Sequence, residues 1–312
     1  MNRPRIVSLL PSATEIACAL GAGPDLVGIS HECDFPPELR GVPVLTASRL
    51  ANGASSGAID AEVRALVRDA LSIYTVDQPR LAELSPDLIL TQDLCRVCAV
   101  SLGDVQGAVA RLAQRSDVQI VSLQPTRLVH VMQDIETIAS ALGRSEEGRA
   151  LRAALEARML RIAERAQHAR SRPRVASIEW LEPLMLGGTW MPELIELAGG
   201  EALAARPGEP APTLTRAQFA ALRADLVLIK PCGFDVERTL RERALIDTSL
   251  LNQLAPSARA YVTDGNAFFN RPGPRLVESL EILAAAIHPE LFADFELKHR
   301  SVLVPLSTLE TE

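Results

Sequence analysis

Three cysteines and a histidine stand in two short stretches, His31-Glu32-Cys33 and Cys95-Arg96-Val97-Cys98, and a further cysteine, Cys232, lies in KPCGF. Thiolates are soft ligands. A CxxC spacing lets one ion bind two of them while thiols from elsewhere complete its shell, as in zinc sites and iron–sulfur clusters. His31, two residues before Cys33, is placed to be a further ligand or to donate a hydrogen bond to one. Cys33, Cys95, Cys98 and Cys232, with His31, are therefore the candidate metal ligands. The plainer reading is that these thiols are small apolar residues packed under loops. That reading is preferred for Cys18, which sits inside the helical pattern SATEIACALG beside Ile16 and Leu20. A redox CxxC would need a helix N-terminus in a thioredoxin-like unit, which the flanking sequence does not offer.

Three other segments carry polar or aromatic groups suited to holding a ligand. Pro11-Ser12-Ala13-Thr14-Glu15 has the pattern of a strand-to-helix turn, with Ser12 as N-cap and Glu15 as the third helical residue of a capping box. Free N–H groups at such a turn also suit an anion or an amide, so Ser12, Thr14 and Glu15 are candidate contacts. Both tryptophans of the chain, Trp180 and Trp190, flank a segment that holds Glu182 and the Gly187-Gly188 pair. They are candidate aromatic walls for a flat ligand, with core packing as the alternative. The run from Asp264 to Pro274, DGNAFFNRPGP, is pinned by prolines and glycines and could fix Asp264, Asn266, Phe268, Phe269, Asn270 and Arg271 around a polar ligand. Glu32 joins these candidates from the HEC stretch. No Ser-His-Asp arrangement, P-loop or GxGxxG is present.

The elements expected to position these residues alternate between strands and helices. The stretches LVGIS, DLIL and DLVLI are short branched apolar runs of the kind that form buried parallel strands, and each ends directly before one of the cysteine segments or a few residues short of it. A faint internal repeat is visible. RIVSLLPSATEIACALGAG resembles RVASIEWLEPLMLGGTWMPELIELAGG, and LAELSPDLIL resembles FAALRADLVLI, in the same order. The expected fold is therefore α/β: two Rossmann-like lobes with small, mostly parallel sheets, joined by a long rigid backbone helix, with a ligand cleft between them. The boundaries read as an N-terminal lobe over 1–127, linking helices over 128–172, a C-terminal lobe over 173–288 and a tail over 289–312. Within the linker, Leu128 to Leu142 reads as one helix closed by Gly143. Ser145 to about Arg170 reads as a longer one with Leu151, Leu155, Met159 and Ile162 on one stripe, long enough to reach roughly 37 Å.

Bulk properties narrow the function classes. The chain has 312 residues, a formal net charge of −7 and 4% aromatic residues, a balance that argues against nucleic acid as a partner. No apolar run approaches the roughly 20 residues of a membrane span. Met1-Asn2-Arg3-Pro4-Arg5 runs straight into the strand-like IVSLL, and the following stretch is interrupted by Pro11, Ser12, Thr14 and Glu15, unlike a secretory signal. A cytoplasmic location is the expectation, and with it free or metal-bound thiols.

IVSLLPSATE, LVGIS, DFPPE, LSPDLIL and ELAGGE, in that order, resemble the class III substrate-binding proteins, and among them the cobalamin-binding type of bacterial ABC importers. The resemblance runs from about residue 5 to 287 and implies two α/β lobes on a rigid helix with the ligand held between them. It also implies docking on a transporter through a glutamate on each lobe, eight residues before the aspartates at positions 87 and 225. Pro79 and Ala217 stand there, so ABC transporter docking is not expected. HEC, CxVCAVS, EWLEP, PCGFD and DGNAFFNRPGP resemble a cytoplasmic branch of the family. The leading expectation is a binding protein for a corrinoid or another metal complex. The alternative is a metalloenzyme with a cysteine-ligated iron–sulfur cluster or zinc.

Overall fold

The computed structural model describes residues 3–50, 53–68, 74–92, 118–246 and 258–306. The chain divides into two compact units, one drawn from Met1–Ala54, Ala61–Pro125 and Val129–Ala154, the other from Ser55–Asp60, Thr126–Leu128 and Leu155–Glu312. Each has its own sheet.

In the first unit β1 (Ile6–Ser8), β2 (Leu26–Ile29), β5 (Leu88–Gln92) and β6 (Gln119–Leu123) form a parallel sheet in the order β2-β1-β5-β6. β3 (Thr46–Ser48) and β4 (Tyr74–Val76) make a separate antiparallel pair. Ile6, Val7, Leu88, Ile89 and Leu90 are buried, as strands covered on both faces require. The second unit repeats the plan with β7 (Arg174–Trp180), β10 (Leu226–Ile229) and β11 (Arg259–Thr263) in parallel. β8 (Met185–Leu186) and β9 (Glu201–Ala202) both pair with β7, and β12 (Leu303–Pro305) closes the far edge antiparallel to β11. The expected two-unit α/β fold is thus present, and the tail adds a strand to it.

The internal repeat has a physical basis. Asp87 accepts the backbone N–H of Arg5 at 2.8 Å, and Asp225 accepts that of Arg174 at 2.7 Å. Each aspartate precedes a buried strand and pins the start of the strand beside it. Ser85 and Arg223, two residues earlier in each copy, both have a positive φ, which turns the chain from helix to strand.

The helix Leu128–Ala141 is followed by Gly143 at φ +68°. The helix Ser145–Ala166 is shorter than expected, ending where the Gln167 N–H is shared between the carbonyls of Ala163 and Glu164. Leu155, Met159 and Ile162 are buried on it. Among the described residues no helix is long and apolar enough to cross a membrane.

Candidate functional site

Parallel strands put the residues that follow them at one edge of a sheet, and ligands of open α/β sheets bind outside that edge. In the first unit the edge is occupied by Leu10 onward after β1, and by Ser30 onward after β2. The helix here begins at Pro11, so Leu10, extended at φ −151°, is the N-cap and Ser12 is not. Proline fits the first helical position because its missing N–H would be unpaired there in any case. The expected capping box therefore does not form. Ser12 and Glu15 are buried within the helix. Thr14 Oγ1 lies 3.0 Å from the Leu10 carbonyl, 2.8 Å from Ser8 Oγ and 3.1 Å from Cys33 Sγ.

His31 is held from several sides. Its backbone N–H donates to Thr46 Oγ1 at 3.0 Å, and its Nδ1 lies 2.6 Å from the same oxygen. Its ring meets Tyr74 edge-on at 5.1 Å. Tyr74 in turn donates to Glu32 Oε1 at 2.7 Å, which lies 3.9 Å from His31 Nε2. Burial pushes the imidazole's pKa below its ordinary value, against the opposing pull of Glu32. The ring is thus oriented through Nδ1, with Nε2 on the Glu32 side.

In the second unit the edge is built around a buried cation. Lys230, directly after β10, has no exposed surface. Its Nζ lies 3.1 Å from Glu179 Oε2 and 2.9 Å from Asn270 Oδ1. The Asn270 amide donates to the Gly265 carbonyl at 2.9 Å. Gly265 is required there, since a Cβ would fall 2.2 Å from the Pro231 carbonyl oxygen. Asp264 Oδ1 accepts the N–H groups of Asn266 at 2.9 Å and Ala267 at 2.7 Å, and burial raises its pKa against those bonds. Arg271 is buried and donates to Asn266 Oδ1 at 3.0 Å. The DGNAFFNRPGP loop is therefore organised largely by its own polar groups.

The aromatic candidates separate into two kinds. Trp190 is buried and its Nε1 donates to the Phe269 carbonyl at 2.7 Å, while Phe269 is fully buried at φ +65° with its N–H bound to Ser279 Oγ. Both serve the core, because their rings have no exposed face. Trp180 and Phe268 stay partly accessible. Trp180 packs 5.3 Å from Phe234 and donates to the Glu182 carbonyl at 3.1 Å. Phe268 lies under the Arg275 guanidinium at 5.5 Å.

Cys95 and Cys98 lie outside the described residues. Among the described residues no group of three or more His, Cys, Asp or Glu side chains could hold a metal ion. Cys33 is buried against Thr14, Cys232 is exposed, and burial pushes the Cys18 thiol up to about 11, as suits a packing residue. The expected four-thiol centre gains no support from these positions.

Lys230, Tyr74 and Thr46 were not singled out by sequence. One signal for Lys230 was available: the chain has only two lysines, and this one follows four buried apolar residues.

The model of the family described as "Periplasmic binding protein" matches residues 6–259. The chain belongs to that family. The Vitamin B12-binding protein of Photorhabdus laumondii is 26% identical over 288 residues, which cover 91% of this chain and 88% of that one. A periplasmic heme-binding protein from Pseudomonas aeruginosa shares the fold with a TM-score of 0.69 at 20% identity, over 92% of this chain and 94% of that chain. The periplasmic Vitamin B12-binding protein of Vibrio cholerae does so with a TM-score of 0.62 at 20% identity, over 92% and 97%.

Proposed function

We propose that this protein binds a corrinoid. The observation that carries this reading is its similarity, along nine-tenths of its length, to Vitamin B12-binding proteins. The strand-edge residues suit such a ligand. A corrinoid presents an apolar ring edge, amide side chains and a cobalt with axial positions. His31, oriented through Nδ1 and favoured in its neutral form, is the candidate axial donor. Within the second unit Trp180 and Phe268 are partly accessible aromatic rings, and Asn266 and Asn270 belong to the loop that borders Lys230.

Titration of the purified protein with hydroxocobalamin, followed by absorption, tests the proposal. A saturable spectral change complete at one equivalent is the expected result. No change with hydroxocobalamin and saturable binding of hemin would overturn it in favour of haem. Metal analysis of anaerobically purified protein runs beside it. Stoichiometric iron or zinc that is lost on replacing Cys95 and Cys98 would instead favour the cysteine-ligated centre.

The family relationship weighs against our expectation that docking on an ABC transporter is absent, and delivery to an importer is the second reading. The cytoplasmic location is part of our first reading. Fractionation of expressing cells tests both, since recovery with periplasmic markers would favour the importer role.

A further inference from the structure

We infer that Glu179 makes this protein selective for macrocycles whose side chains end in amides over those whose side chains end in carboxylates. The inference deepens the corrinoid reading and rests on it.

The argument starts from Lys230. An ammonium with no exposed surface must be matched by charge and hydrogen bonds within the protein, and Glu179 and Asn270 supply them. Asn270 is itself fixed through Gly265, so the position of Glu179 Oε2 is set from behind. The pair is neutral as a whole, but its two halves are presented unequally. Lys230 is 0% exposed and the Glu179 side chain 27%, at the carboxyl end of β7. Glu179 Oε1 has no partner among the described residues. A ligand approaching this edge therefore meets an oxygen acceptor and none of the ammonium's N–H groups.

Two of the neighbouring donors are engaged within the protein. The Trp180 indole N–H goes to the Glu182 carbonyl, and Arg271 is buried with a guanidinium N–H on Asn266. Gly187 packs closely here, since a Cβ would meet the Met191 side chain at 2.9 Å and Glu179 Oε2 at 3.3 Å. A neutral primary amide has N–H groups to give to Oε1. A ligand carboxylate has none and adds like charge. Corrinoids with amidated side chains match this edge, whereas haem propionates and unamidated corrinoids do not. Lys230 acts here as a positioning residue.

Two forms of one macrocycle make the test: dicyanocobyrinic acid heptaamide and dicyanocobyrinic acid, which differ only in amides against carboxylates. The wild type is expected to bind the heptaamide at least about tenfold more tightly. The paired variant Glu179→Gln with Lys230→Met removes both charges together, so that no buried ammonium is left alone. In it the preference should fall to within about threefold, because glutamine can donate to a carboxylate. A wild-type preference below about twofold overturns the inference without any variant, as does an unchanged preference in the paired variant. Hydroxocobalamin binding with no such preference sinks this inference alone. A wild type that binds no corrinoid sinks the corrinoid reading as well.

Discussion

Ser56 and Glu242, 186 residues apart in sequence, are joined by two bonds: the Ser56 N–H donates to Glu242 Oε1 at 2.7 Å and its hydroxyl to Oε2 at 2.5 Å. Ser56 is fully buried and Glu242 nearly so. Ser56 opens the helix Ser56–Arg68, whose first N–H groups lack intrahelical partners and favour a negative charge. Arg238, 3.6 Å from Glu242, balances that charge. Glu242→Ala is expected to cost about 2 to 3 kcal/mol, because it leaves buried donors without an acceptor. Glu242→Gln should cost about half as much, since one oxygen remains to accept. Urea unfolding of the three proteins measures this, and equal midpoints for wild type and Glu242→Ala would refute it.

Glu281 gives the fold a defined acid sensitivity. Burial acts to raise its pKa but is overcome by His299 Nε2 at 2.8 Å, Lys298 Nζ at 2.6 Å and Arg158 Nη2 at 3.0 Å. Together they hold the carboxyl down to about 2, below the ordinary 4.5. A carboxylate with a depressed folded pKa adds stability that is complete above the unfolded value and is lost as pH falls toward the folded one. The stabilisation should therefore decline between pH 4.5 and 2. Its full size is about 3 kcal/mol at roughly 1.4 kcal/mol per unit. Denaturant unfolding at pH 6 and pH 3 checks it: wild type should lose more stability on acidification than Glu281→Gln, and parallel losses would rule it out.

Gly265 holds the two sides of the Lys230 network together. A Cβ at this position would meet the carbonyl oxygens of Pro231 at 2.2 Å and Lys230 at 2.6 Å, both of them backbone atoms that cannot swing aside. Gly265→Ala must push the loop off the end of β10 and take Asn270 with it. The expected cost is about 2 kcal/mol or more of stability, as for overpacking in a filled core. Weaker ligand binding should accompany it. Calorimetric unfolding and corrinoid titration of this one variant test the two effects, and a melting temperature within a degree of wild type would contradict the first.

How much of this was legible in sequence depended on how local the cause was. The repeat could be read because Asp87 and Asp225 do the same job beside the same kind of strand, and both the aspartate and the apolar run are written in consecutive residues. Ser12 is not the cap because serine is only the commoner N-cap, while Pro11 fixes the helix start two residues earlier, with Leu10 as the cap. Trp190 and Phe269 shared the scarcity and loop setting of Trp180 and Phe268. What separates them is burial, set by the bond from Trp190 to the Phe269 carbonyl across 79 residues. The partners of Lys230 lie 51 and 40 residues away, and no spacing rule connects them.

His31 supplies the most direct chemical test of the first unit. Its pKa lies below 6.5 because burial disfavours the imidazolium, with Glu32 only partly offsetting that effect. The neutral form, which alone can donate a lone pair to a metal, therefore persists to lower pH than it would in an exposed histidine. If His31 is an axial donor to bound cobalt, the spectral change on adding hydroxocobalamin should be intact at neutral pH. It should fade on acidification below the histidine's ordinary range, as the proton competes with the metal. His31→Ala should abolish that change at every pH and weaken binding by about tenfold, which corresponds to roughly 1.4 kcal/mol. Thr46→Val removes the hydroxyl that orients Nδ1 while leaving the ring in place, and should give an intermediate spectrum. Identical spectra for wild type and His31→Ala would show that the corrinoid is held without this histidine, and would move the search for an axial donor to the other residues of the strand edges.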